Sequence, residues 1–103
     1  MNYCVVFVTA PKGKQGPELA QVLLKKRLCA CVNIIKSVES FFWWKSKINK
    51  AGESLLMIKT KKSLLKQLIK TVREKHSYQV CETIALPIIA GNKPYLDWIE
   101  AEC

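Results

Sequence analysis

Two long segments rich in β-branched and aromatic residues follow each other almost without a break, and they constrain the fold more than anything else in the chain. Ala30–Trp44 carries Val32, Ile34, Ile35, Val38, Phe41, Phe42, Trp43 and Trp44, and Lys47–Thr60 ends in Leu55-Leu56-Met57-Ile58. Each is far longer than the usual strand of about 5–6 residues, so the pair predicts a long β-hairpin. Two turns compete for it. Ala51-Gly52 has the glycine, but Lys45-Ser46 leaves arms of nearly equal length, and Gly52 is then expected to mark a bulge. A second bend is expected near Lys36-Ser37.

The flanking segments decide what the hairpin belongs to. Tyr3–Ala10 is apolar on both parities, as in a strand at the middle of a sheet. Pro11, Gly13 and Gly16-Pro17 close it with a loop. Pro17–Leu28 reads as a helix: Pro17 suits a first turn, Glu18 faces the positive end of the helix dipole, and Leu19, Ala20, Leu23 and Leu24 recur at helical spacing. Lys62–Lys75 is a second helix, with Leu64, Leu65, Leu68, Ile69 and Val72 on one side and Lys62, Lys66, Lys70 and Glu74 on the other. Thr83–Ile89 is a short strand whose Pro87 confines it to a sheet edge. Asn92 and Pro94 open a last helix carrying Leu96, Trp98 and Ile99. The order β-α-β-β-α-β plus a terminal helix predicts an α+β, ferredoxin-like sandwich: a four-stranded antiparallel sheet with both crossover helices on one face. At 103 residues the chain is one domain, 1–103.

Such a sheet leaves one face bare. The first strand is apolar on that side too, and Phe41-Phe42-Trp43-Trp44 lies far out on the hairpin. A subunit of this size cannot easily cover both, so copies of the same chain are expected to do so; the competing reading, aromatics folded back over their own sheet, needs a shorter hairpin.

Charge and cysteine content narrow the function. Seventeen Lys and Arg against eight Asp and Glu give a formal charge of +9, which attracts anions, although a solvated lysine-rich surface accounts for it as well. Fifteen of the basic residues are Lys, spread along the chain, and the aromatic pattern of an RNA-recognition strand is missing, so a nucleic-acid partner is not expected. The start lacks a basic signal-peptide region, and no segment reaches the ~20 apolar residues that span a bilayer. Membrane insertion is therefore not expected. Five cysteines, an odd number, fit a cytoplasmic protein better than a secreted disulfide framework. One histidine, no Gly-rich phosphate loop and no nucleophile elbow argue against an enzyme.

Several short segments, in register over nearly the whole chain, resemble one family. They are Val8-Thr9-Ala10-Pro11, Leu28-Cys29-Ala30-Cys31-Val32-Asn33-Ile34, Trp44-Lys45-Ser46-Lys47-Ile48, Leu56-Met57-Ile58-Lys59-Thr60, His76-Ser77-Tyr78-Gln79-Val80-Cys81-Glu82, Leu86-Pro87 and Gly91-Asn92-Lys93-Pro94-Tyr95-Leu96-Asp97-Trp98-Ile99. Together they resemble the CutA divalent-cation tolerance family. The resemblance implies a homotrimer whose long hairpins pair between subunits, a turn at Lys45-Ser46, and a part in tolerance of copper and other divalent metal ions. Ser46 replaces the family's turn glycine, so a looser turn or another turn type is expected. The resemblance further implies that the positions of the copper ligands of copper-binding members, a Cys and two adjacent His, are Val8, Lys75 and His76 here, so only one of the three is retained.

The candidate metal ligands are therefore His76, a solvent-reaching imidazole just past a helix end, with Cys81 and Glu82 nearby. Cys29 and Cys31 could chelate Cu(I) from one strand face, against the stronger reading of both as small buried residues. Trp44, Lys59, Tyr78 and Glu82 are candidates for a cleft between subunits holding a small anion or metal complex; the competing reading is a Lys59–Glu82 ion pair and an interface aromatic. A nitrogen-regulatory PII-like module that senses a small ligand or acts as a scaffold is the alternative function, by likeness of fold alone.

Overall fold

The structure, a computed structural model, describes residues 2–103. Strands β1 (Tyr3–Pro11), β2 (Cys31–Trp44), β3 (Lys47–Lys61) and β4 (Thr83–Pro87) form one antiparallel sheet in the order β2-β3-β1-β4. Helices α1 (Gln15–Lys25) and α2 (Leu65–Lys75, preceded by a 3₁₀ turn at Lys62–Leu64) connect the strands, and α3 (Lys93–Glu102) ends the chain. This is the ferredoxin-like α+β arrangement expected from the order of elements.

The two-residue period of β1 sorts the sheet into faces. Cys4, Val6, Val8 and Ala10 are buried, as are Leu56, Ile58 and Thr60 of β3, and they pack with Leu19, Leu23, Leu68 and Val72 of the helices. Thr60 is a polar member of this layer, and its hydroxyl donates to the Leu28 carbonyl at 2.7 Å. The register places Val5, Phe7, Leu55, Met57 and Ile35 on the opposite face, with Ile84 and Leu86 of the edge strand. Helix α3 lies over one end of that face. Its Glu100 carboxylate accepts hydrogen bonds from Lys61 at 3.0 Å and Tyr3 at 3.1 Å, which hold it below the usual carboxylate range. The rest is bare: Ile84 is 51% exposed and Leu86 43%.

Element ends differ from the sequence reading for local reasons. α1 begins two residues before Pro17 and ends at Lys25, three residues before Leu28. Arg27 takes φ 55°, the Arg27 N–H bonds the Leu24 carbonyl, and the Leu28 N–H bonds the Leu23 carbonyl. That is a Schellman stop built on arginine in place of glycine, so no sequence signal announced it. β4 ends at Pro87, two residues short of Ile89, although Ile88 N–H still reaches the Tyr3 carbonyl at 2.9 Å. Asn92 sits at the α3 N-cap without a side-chain capping bond.

The hairpin turns at Lys45-Ser46, closed by the Trp44–Lys47 pair. Gly52 is not a bulge; it pairs in register with Glu39. The extra residue lies in β2, between Ile35 and Val38, where the bend near Lys36-Ser37 was expected. The turn is also not of a different type. Lys45 (φ 49°) and Ser46 (φ 64°) both adopt the left-handed conformation of a type I′ turn. Asn49 reinforces it by donating to the Trp44 and Lys47 carbonyls, each at 3.2 Å. Left-handed backbone costs a non-glycine residue about 1–2 kcal/mol, so Ser46→Gly is expected to stabilise the folded chain by about 1 kcal/mol, read as a higher urea midpoint with an unchanged m-value.

Candidate functional site

Beyond Pro11, which pairs with Glu53, β1 stops and the hairpin continues alone. The segment following α2 runs beside this free arm and leaves an open groove of about 490 Å³. Phe42, Trp44, Asn49, Ala51 and Glu53 line one wall, and Ser77, Tyr78, Gln79 and Val80 the other. Glu53 is largely buried there, beside Phe42, Trp44 and Tyr78 and among the polar Asn49, Lys50, Ser77 and Gln79. Burial, and then the facing Glu53 carboxylate, push the Tyr78 phenol up to about 12, so it keeps its proton and can donate at any ordinary pH.

His76 fixes the second wall. It follows the last turn of α2, its backbone N–H capping the Val72 carbonyl at 2.8 Å. The imidazole is buried, not solvent-reaching as expected. Nε2 lies 2.6 Å from the Thr9 carbonyl, which can only accept, and Nδ1 accepts from the Tyr78 N–H at 3.0 Å. The proton is therefore on Nε2 and both nitrogens are engaged. The His76 and Tyr78 rings pack with centroids 4.7 Å apart. His76 ties the end of β1 to the groove wall, and a metal ion could reach it only after both bonds broke.

The other proposed ligands do not gather around it. Cys81 is half-buried against the core, its Sγ 3.9 Å from the Thr83 hydroxyl, whereas Glu82 is exposed. Cys29 precedes β2 and is buried, and desolvation raises its thiol to about 12; Cys31 is on the strand and interacts with Asn33. The pair therefore does not present two thiolates on one strand face. Among the described residues no three His, Cys, Asp or Glu side chains are placed to hold a metal ion together, so a complete metal site does not fit within one subunit.

Of the proposed cleft residues, Trp44 and Tyr78 meet in the groove. Lys59 does not reach it and does not pair with Glu82; it lies on the bare sheet face and donates to the Asn33 carboxamide oxygen. Glu82 is outside the groove as well. The groove residue that sequence reasoning missed is Glu53. A charged residue beside Gly52 in the outer half of a hairpin reads as surface, and only the spatial neighbour Tyr78 reveals its burial.

The class defined by this architecture is a ferredoxin-like α+β subunit with a bare sheet face, a projecting aromatic hairpin and a groove between that hairpin and the segment after α2. The chain belongs to the CutA1 divalent ion tolerance protein family, whose sequence profile matches residues 4–102. It is 46% identical over 96 residues to the chloroplastic protein CutA 1 of Oryza sativa, covering 93% of this chain and 54% of that one. It is 39% identical over 95 residues to the divalent-cation tolerance protein CutA of Archaeoglobus fulgidus, covering 92% of each. The crystal structure of CutA1 from Oryza sativa superposes with a TM-score of 0.96 at 43% identity, over 99% of this chain and 94% of that one. The chain thus spans about half the length of its rice and mouse relatives, 54% and 52%.

Proposed function

We propose that this chain acts in divalent-cation tolerance as a homotrimer that performs no catalysis, and that the groove holds a divalent cation or its complex only once a neighbouring subunit completes it. Family membership supports the tolerance role. The observation that carries the assembly is the bare apolar sheet face, continuous in register from Ile35 through Leu55 and Met57 to Phe7 and Ile84. A lone subunit leaves these residues to water, and identical subunits packed around an axis remove them from it. Within the groove Glu53 is the anionic donor, and Trp44, Phe42 and Tyr78 exclude water around it. The PII-like alternative gains nothing from these relatives, all of them CutA proteins. A cytoplasmic or otherwise reducing location is proposed from the five cysteines, all free; no helix of the described residues is long and apolar enough to cross a membrane.

Calorimetric titration of copper(II) and zinc(II) into the assembled protein tests this reading. The expected result is one or three ions per trimer, with affinity falling at least about tenfold in Glu53→Gln, since a carboxylate donor is lost. Absence of any heat at millimolar metal would remove direct binding, and unchanged affinity in Glu53→Gln would place the ion elsewhere.

A further inference from the structure

Basic residues that look scattered in sequence are collected by the fold on the outer surface of the helical layer. Lys66, Lys70 and Arg73 follow one another at helical spacing along α2, and Lys62 extends the line into the 3₁₀ turn. All four are exposed. At 1.5 Å per residue the row is about 17 Å long. Ser63, Gln67 and Ile69 join Lys66, Lys70 and Arg73 around a shallow trough of about 530 Å³. The ion pairs found among the described residues are Arg27–Glu102, Lys50–Glu39, Lys61–Glu100 and Lys93–Asp97, so none uses a cation of this row. Glu74 is the one acid on α2, and no acid lines the trough.

We propose that this row is a docking surface for the phosphodiester backbone of nucleic acid, bound without regard to sequence. Charge complementarity and shape together select this occupant. Four uncompensated cations in single file match a linear polyanion, and the Ser63 hydroxyl and Gln67 amide beside them are donors of the kind that contact phosphate oxygens. A bilayer would require a plane of charge; a single row of cations suits one line of phosphates. No aromatic residue lines the trough, and lysine predominates, so base stacking and base-edge reading are not offered. The row is on the opposite side of the molecule from the bare sheet face, so an assembly that buries that face leaves it open to solvent. The inference is independent of any metal in the groove.

The test is fluorescence anisotropy with the full chain and a labelled DNA duplex, repeated over a range of salt concentrations. Expected is a dissociation constant in the non-specific range of about 10⁻⁴–10⁻⁶ M, indifferent to sequence, with log K against log salt falling at a slope of about −3 to −4 for four neutralised phosphates. The variant Lys66→Gln/Lys70→Gln/Arg73→Gln should lose most of that slope. The control Lys36→Gln/Lys45→Gln/Lys47→Gln removes equal charge from the hairpin and should keep it. Urea midpoints confirm that both variants fold. Equal loss in the two variants would show that diffuse net charge is responsible and overturn the proposal. So would no binding at millimolar protein, or a row variant that loses adsorption to phosphatidylserine vesicles while duplex binding persists.

Discussion

Met57→Asp is expected to convert the proposed homotrimer to single folded subunits in sedimentation velocity. Met57 is at the middle of the bare sheet face, on an interior strand, between Phe7 of β1 and Asn33 of β2. In one subunit the site is half-exposed, so a carboxylate there keeps its water and the fold tolerates it. In an assembly that closes over this face, each copy would bury an unpaired charge, at an effective cost of several kcal/mol per ion. Met57→Leu retains the apolar surface and should still assemble. An Asp variant that sediments like the unaltered protein would show that subunits meet elsewhere.

His76→Ala is expected to weaken the folded state by about 2–4 kcal/mol, because the Thr9 carbonyl and the Tyr78 N–H both lose a partner in a largely buried setting. Urea unfolding at fixed protein concentration reads the loss. The segment 77–80 should loosen with it, which faster amide exchange at Tyr78 would report. Copper and zinc stoichiometry should stay the same. Lost metal binding with unchanged stability would restore this imidazole as a ligand and refute its role as the tie between β1 and the groove wall.

The architecture was legible because its determinants are local and periodic. The alternation in β1, the helical recurrence of Leu64, Leu65, Leu68, Ile69 and Val72, and the confinement of Pro87 to an edge each follow from nearby residues, and together they leave one arrangement open. The site was less legible because it is non-local. His76 and its partner Thr9 are 67 positions apart, and Tyr78 meets a carboxylate from a different strand. A histidine beside polar residues reads as an exposed ligand until the carbonyl above it is known. The α1 stop at Arg27 escaped because a left-handed arginine carries no compositional signature. Gly52 misled in the opposite sense, since glycine permits a bulge without requiring one.

The extra residue in β2 acts as a phase shifter. Before it, the odd-numbered Cys31, Asn33 and Ile35 share the face of Lys59, Met57 and Leu55; after it, the even-numbered Val38, Ser40, Phe42 and Trp44 continue that face, opposite Glu53, Ala51, Asn49 and Lys47. This inversion sends Phe42 and Trp44 into the groove and turns Phe41 and Trp43 away. Removal of Ser37 alone would leave Phe42 opposite Asn49 and Trp44 opposite Lys47, because the alternation of β3 is unbroken and Lys36 would take the single place opposite Ser54. The bulge therefore holds one spare residue: a single-codon deletion in this arm is absorbed by straightening it, and only a second would slip the ribbon and present the wrong aromatic surface.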